Sequence, residues 1–415
     1  MKKYDTPLID ELEKGPFPSF VTEIKKAAKK NEMANDELGQ LEYSFKTNRG
    51  YWKHGGIVGV LGYGGGIIGR YSELPDKFPN VEFFHTVRIN QPSGWFYTTE
   101  VLREIADICD KYGSGITNFH GSTGDMVLLG TTTANLEPIF AELTSKEKPA
   151  HLRFDLGGSG SAMRTPSCCN GPARCEWTNY DTMEACYQIT QEFQDELHRP
   201  AFNYKFKFKF AGCACDCVAS MARSDCSVVG TWRGPILIDQ DAIKWHEKKG
   251  VDVQRDIVNM CPTQCITYDG KAMKIDNAEC IRCMHCISKL HHALKPSGER
   301  GATICIGNKA PIVIGTILSH VIIPFMKMEA PFNELKELAR KMWDWWDENS
   351  KPRERIGEVI EFKGMRSFLE AIDVPPMPYH VKEPRRDPFW FFKEEDIEVL
   401  KKKEEEEKKT GKFKF

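Results

Sequence analysis

A chain of 415 residues is long enough for two or three cored domains. Its 57 Lys and Arg offset 59 Asp and Glu, and a formal net charge of −2 excludes a global field that would draw the chain to nucleic acid or a membrane surface. An apolar share of 41% excludes wholesale disorder, so any positive site has to be local and built into a fold.

The first residues, MKKYDTPLIDELEKG, hold no apolar core and no small-residue cleavage site, so no secretory signal is read there. The longest oily run, Ala310 to Met326, is about 17 residues long, is broken by His320 and two prolines, and falls short of a bilayer span. The reading is a soluble, cytoplasmic protein. Fifteen cysteines clustered at short spacings in such a chain point to metal rather than to disulfides.

Residues 1–54 are polar and weakly patterned, with one helix around Asp10 to Lys30, and read as an arm lying on a partner or on the body. From Gly55, GGIVGVLGYGGGIIGRY sets a β-branched strand against a glycine loop that ends in Arg70. The run lacks the spacing of a P-loop or a dinucleotide fingerprint and reads as a tight turn, with Arg70 placed to reach a ligand that the backbone approaches closely. HTVRINQPSGWFYTTE then gives a strand carrying Arg88, a turn at Pro92 to Gly94 and a helix over Glu100 to Tyr112. GSGITNFHGSTGDMVLLG gives a strand pair around His120 and Gly121, and a lone histidine there ranks as a core residue before a catalyst.

Asp155 to Cys175 is glycine-rich and then cysteine-rich, with Arg164 between the two parts. A helix capped by Asp181 and Glu184 follows, with Met183, Cys186, Tyr187, Thr190, Phe193 and Leu197 on one face until Pro200 stops it. Next, Lys205, Lys207 and Lys209 alternate with Phe206, Phe208 and Phe210, the period-two pattern of a strand with one oily and one cationic face. Gly212 ends the strand, Cys213, Cys215 and Cys217 follow, and Arg223 comes about two helical turns later. Ammonium groups aimed at a knot of thiolates suggest a soft metal centre beside something strongly anionic.

Asp239 to Cys305 looks inserted: CPTQC at Cys261 to Cys265, a hairpin over Ile266 to Ile275, and CIRCMHC at Cys280 to Cys286. Three thiolates at C-x2-C-x2-C fit three corners of a cubane, and a distant Cys-Pro supplies the fourth. The set is Cys261, Cys280, Cys283 and Cys286, with Cys265 left over. Zinc, which prefers paired C-x2-C, is the competing metal. PIVIGTILSHVIIPFM resumes the strands of the main body, a last helix buries Leu335, Leu338, Ala339, Met342, Trp345 and Trp346, and KKKEEEEKKTGKFKF is a charged tail. The organisation expected is therefore an arm (1–54), a first α+β domain (55–165), a cluster-binding part of a second (166–238), a ferredoxin-like insert (239–305) and the remainder with its terminal helices (306–415).

RTPSCCNGPARC, KFKFKFAGCACDCVASMARSD and the insert, in that order, together with HTVRINQPSGWFY, NFHGSTGD, GGSGS, QDELHRP and RERIGE, resemble the alpha subunits of dissimilatory sulfite reductases over nearly the whole chain. The resemblance implies an α+β fold of the sulfite and nitrite reductase kind, with mixed sheets flanked by helices and an inserted 4Fe-4S ferredoxin module. It implies two 4Fe-4S clusters and a sirohaem. The second cluster falls to Cys169, Cys175, Cys213 and Cys217, with Cys217 bridging to the sirohaem iron; Cys168, Cys186, Cys215 and Cys226 are left as free thiols. Of the cations, Arg88, Arg164, Lys205 and Lys207 are assigned to substrate, and Arg70, Lys209 and Arg223 to sirohaem carboxylates or their support. The reaction implied is six-electron reduction of sulfite toward sulfide. The partners implied are a homologous beta subunit in an α2β2 tetramer, a small cysteine-bearing sulfur carrier and, indirectly, a membrane electron-donor complex, with the arm and the tryptophan helix as interface elements. The alternative is a structural and electron-transfer subunit whose tetrapyrrole site is inactive while the beta subunit does the chemistry.

Overall fold

The computed structural model describes residues 2–90, 96–312 and 315–375, with 377, 398 and 402. The turn expected at Pro92 to Gly94 and all of the charged tail but Lys402 lie outside the described residues. The chain forms two compact units: Met1–Ser167 with Ile189–Lys207 and Lys351–Arg353, and Cys168–Gln188 with Phe208–Ser350 and Glu354–Phe415. Both are α+β.

In the first unit, helices α1 (Phe20–Ala28) and α2 (Glu32–Thr47) precede the hairpin β1 (Trp52–Val60) and β2 (Tyr63–Ser72). Then come β3 (Thr86–Asn90), α3 (Thr99–Tyr112), β4 (Gly113–Phe119), β5 (Met126–Thr131), α4 (Leu136–Thr144) and β6 (Asp155–Leu156). The sheet runs β1-β2-β3-β5-β4, with β6 also on β3. Val101, Ile105, Ile108 and Cys109 of α3 and Ile139 and Leu143 of α4 pack on Val87, Ile89 and Leu128 of the sheet. This is the expected helix, starting one residue earlier at Thr99, where Thr98 caps Val101 N–H.

The N-terminal segment differs from the single expected helix. A short 3-10 turn (Ile9–Glu13) and two helices bury Ile9, Val21, Ile24, Ala34 and Leu38 together, with Ile116 of β4 packed against them. The glycine loop is also corrected: the β1–β2 turn falls at Leu61 and Gly62, and Gly64, Gly65 and Gly66 lie inside β2. The strand needs glycine there because a Cβ on Gly66, at φ +90°, would sit 2.7 Å from Leu156 Cβ.

The helix expected from Asp181 to Leu197 is two: α5 (Thr182–Glu192) and α6 (Gln194–His198), broken at Phe193 with φ −112° and ψ 44°. Of the expected face, Cys186, Thr190, Phe193 and Leu197 are buried, while Tyr187 is exposed and Ala185 and Ile189 are fully buried beside them.

The second unit is organised on a five-stranded sheet of order β17-β14-β9-β8-β7: β7 (Ser167–Cys168), β8 (Phe208–Ala211), β9 (Cys226–Trp232), β14 (Arg300–Ile306) and β17 (His320–Lys327). Helix α7 (Ser220–Arg223) lies between β8 and β9 in sequence. Between β9 and β14 sits the insert: β10 (Ile236–Ile238) paired with β13 (Leu294–Pro296), α8 (Gln240–Lys248), the hairpin β11 (Ile266–Tyr268) and β12 (Met273–Ile275), and α9 (His285–Lys289). Its own core joins Ile243, Ile257, Ile266, Met273, Ile287 and Leu294. The small pair β15 (Lys309–Ile312) and β16 (Gly315–Ile317) and helices α10 (Asn333–Asn349), α11 (Ile356–Lys363) and α12 (Met365–Ala371) complete the unit. Helix α10 buries Trp343, Trp345 and Trp346, the first against Phe208 and the second against Phe368. These tryptophans belong to the core.

Candidate functional site

The cationic strand is regular only over Phe208–Ala211. Upstream of it, Phe206 makes an isolated parallel bridge with Met163, in which Arg164 N–H donates to Phe206 C=O at 2.7 Å and Phe206 N–H to Ala162 C=O at 3.2 Å. That pairing sets Arg164 beside Lys205 and Lys207 on neighbouring backbones. The Arg164 guanidinium is steadied by Gly160 C=O at 2.7 Å, and Lys205 Nζ stands 5.0 Å over the Tyr204 ring. The GGSGS segment must be glycine here, since a Cβ on Gly158 would lie 1.7 Å from Met163 C=O.

Arg88, in β3, is nearly buried and donates to Asp125 Oδ2 and to Thr123 Oγ1. Asp125 is fully buried and also accepts from Thr165. His120, after β4, stands 3.4 Å from Arg88 Nη1 and hydrogen-bonds Thr123 through Nδ1 at 2.7 Å. Burial, then the positive charges of Arg88, Lys207 and Arg164, push the His120 imidazole down to about 4, against the opposing pull of Asp125. Three of the four cations assigned to substrate therefore act on one ring. The sequence placed His120 behind them, and the only signal for it was NFHGSTGD, which puts a histidine five residues before a buried aspartate. Arg70 lies near the end of β2, half-buried, with its backbone N–H on His85 Nδ1 at 3.1 Å.

In the second unit the ladder continues: Cys169 N–H donates to Phe210 C=O at 2.9 Å, and Gly212 N–H donates to Cys169 Sγ at 3.3 Å. Gly212 is clamped, because a Cβ there would meet Thr178 Oγ1 at 2.1 Å, and its C=O accepts from Asn179 N–H at 2.8 Å. Past it the chain turns back on itself, with Asp216 and Ala219 at positive φ and Asp216 capping Ser220 and Met221. The Cys213 thiol is pushed up to about 12 by burial and by the nearby charges of Cys215 and Cys175; Cys217 is raised by burial, Cys215, Cys169 and Cys175. Both shifts disfavour the free thiolates, and binding a metal would take the protons from Cys213 and Cys217.

Lys209 departs from its expected place on an open cationic face. It is 1% exposed, and Nζ donates to Val218 C=O at 2.9 Å, next to Cys217. Period-two alternation assigns the face of a strand but not what packs against it. Arg223, at the end of α7, is exposed.

In the insert, Cys261, Cys265, Cys280, Cys283 and Cys286 line one cavity of about 410 Å³, part of it open to solvent, with Trp232, Ile257, Ile275 and Met284 in its wall. Arg282 and Met284 take positive φ, which curls CIRCMHC, and Arg282 N–H donates to Cys280 Sγ at 3.4 Å. Among the described residues, no three His, Cys, Asp or Glu side chains are close enough to hold a single ion. A four-iron cluster needs its thiolates farther apart than one ion does, and a mostly apolar wall with backbone N–H groups turned to sulfur suits it.

The family model described as the nitrite and sulphite reductase 4Fe-4S domain matches residues 159–377, and the nitrite/sulfite reductase ferredoxin-like half domain matches residues 78–146. The alpha subunit of the dissimilatory-type sulfite reductase of Nitratidesulfovibrio vulgaris is 50% identical over 425 aligned positions, covering 96% of each chain. That of Allochromatium vinosum is 42% identical over 398, covering 93% of this chain and 94% of its own. A crystal structure of dissimilatory sulfite reductase I matches with a TM-score of 0.86 at 49% identity, covering 97% of this chain and 99% of that one. No helix among the described residues is long and apolar enough to cross a membrane. Matched by that family model over more than half its length and by two such alpha subunits over nearly all of it, the chain belongs to the nitrite and sulphite reductase family, among the alpha subunits of dissimilatory-type sulfite reductases.

Proposed function

We propose that the chain is a catalytic alpha subunit that carries out the six-electron reduction of sulfite to sulfide in the cytoplasm. The observation that carries this reading is that the backbone returns Cys169 to the turn bearing Cys213 and Cys217, with Gly212 N–H on Cys169 Sγ, in a chain of this family. The donor set of Cys169, Cys175, Cys213 and Cys217 fits a 4Fe-4S cluster, which these residues would hold with Cys217 on the side of sirohaem; Cys261, Cys280, Cys283 and Cys286 would hold a second cluster. When bound, sirohaem and the clusters supply the electrons and the iron that the reduction needs.

The protein's own part is electrostatic. Arg88, Arg164, Lys205 and Lys207 hold the sulfite oxygens; Arg88 is buried and the other three are half-buried, which limits the water that competes for their charge. Each S–O cleavage also consumes protons. Lysine can release one and arginine does not, so Lys205 and Lys207 are the donors while Arg88 and Arg164 orient the anion. Arg70, Lys209 and Arg223 answer the carboxylates of the tetrapyrrole or support its site.

The assembly is an α2β2 tetramer with a homologous beta subunit. Its product sulfur passes to a small cysteine-bearing carrier, and a membrane donor complex feeds it indirectly. The test is steady-state sulfite reduction by the purified complex with a reduced dye as donor. Lys207→Met is expected to lower kcat by about 100-fold or more with sirohaem content unchanged. A fully loaded native complex that consumed no sulfite would contradict the proposal.

A further inference from the structure

The insert brings five thiols to a cavity where a four-iron cluster takes four. Cys265 is 8% exposed, lines the same cavity as the other four, and places its Sγ 3.5 Å from Cys261 Sγ, within hydrogen-bond range for sulfur. The approach is built by the backbone. Gln264, at φ +53°, turns the chain with its N–H on Cys261 C=O at 3.1 Å, and Cys265 C=O accepts from Asp276 N–H at 2.8 Å, which ties it to the end of the hairpin. Cys265 is therefore held against Cys261 and does not merely lie near it in sequence.

When Cys261 ligates iron it has no proton, so in the S···S contact only Cys265 can donate. We infer that Cys265 is a tuning residue for the insert cluster: its S–H donates to Cys261 Sγ and holds the cluster at a higher reduction potential than its four ligands alone would set. This rests on the cluster assignment proposed above. Reduction adds an electron whose charge spreads onto the thiolates, so a donor to one of them favours the reduced form. The cavity wall is mostly apolar and Cys265 itself is buried, which preserves the effect of even a weak sulfur donor. One such bond shifts the reduction equilibrium by a factor of about five, which is about 40 mV at 59 mV per tenfold for a one-electron couple.

The test is a redox titration of the anaerobically purified complex, followed by electron paramagnetic resonance, on the native protein, Cys265→Ala and Cys265→Ser, with iron counted first. The expected result is equal iron in all three, a potential about 40 mV lower in Cys265→Ala, and partial recovery in Cys265→Ser, whose hydroxyl can still donate. Equal iron with an unchanged potential in Cys265→Ala overturns the inference. So does loss of iron from that variant, which would make Cys265 a ligand. About four cluster irons in the native chain instead of eight would remove the second-cluster assignment and the inference with it, a result the iron count, taken beside sirohaem content, separates from the other two.

Discussion

Lys209 Nζ donates to the carbonyl oxygen of Val218 across 2.9 Å, tying the buried strand β8 to the loop that carries Cys217. A cation in so dry a place is unfavourable by itself, and burial pushes Lys209 down to about 8. It is retained where a carbonyl and the charge of Asp216 receive it. Lys209→Met keeps most of the volume and loses the bond, and is expected to lower stability by about 1.5–3 kcal/mol. Thermal unfolding of the complex reads that loss, and an iron count reads the accompanying loss of the cluster next to Cys217.

Asp125 accepts from Arg88, Thr123 and Thr165 with no exposed surface of its own. Asp125→Ala leaves the Arg88 guanidinium buried without its counter-charge, and the expected cost is about 3–5 kcal/mol. Chemical denaturation measures it. Asp125→Asn, which still accepts hydrogen bonds, is expected to cost less.

His120 gives the first unit a pH dependence. Its folded pKa, near 4, lies below the usual value near 6.5, so between these values the unfolded chain binds more protons and stability falls as pH falls. Above 6.5 the group contributes no slope. With the ring partly exposed, the loss between pH 6.5 and 5 is about 1 kcal/mol. His120→Gln is expected to flatten that part of the melting-temperature profile, and a profile unchanged by the substitution would rule the assignment out.

Gly230 of β9 lies against the cysteine loop. A Cβ there would stand 1.9 Å from Gly212 C=O and 3.0 Å from Cys213 N, both backbone atoms that cannot rotate away. Gly230→Ala is expected to cost about 3 kcal/mol and to release the irons of the Cys213 cluster while the insert keeps its own. Iron analysis together with cluster spectra distinguishes the two losses.

The hairpin of the insert was legible, Ile266 to Ile275 appearing as β11 and β12. Helix α3 was legible because Val101, Ile105 and Ile108 repeat at helical spacing on an apolar face. Helix α2 was not, because part of its buried face is polar: Asp36 accepts from Tyr4 and Asn80, and Gln40 from Ser72, so no apolar stripe marks it. The glycines of β2 looked like a loop because what requires them, Leu156 at Gly66 and Pro200 at Gly64, arrives from far along the chain. The same holds for His120 and Lys209. Their roles come from Arg88, Asp125 and Val218, which local pattern does not bring together.

The most direct test of the central claim is the absorption spectrum, with iron and sirohaem content, of the anaerobically purified complex, native against Cys217→Ser. The account predicts sirohaem bands with about eight cluster irons per alpha chain in the native protein, and loss of the bands together with sulfite reduction in the variant. Native bands of an iron-free tetrapyrrole, or a variant that still reduces sulfite at the native rate, would contradict it and assign the chemistry to the beta subunit.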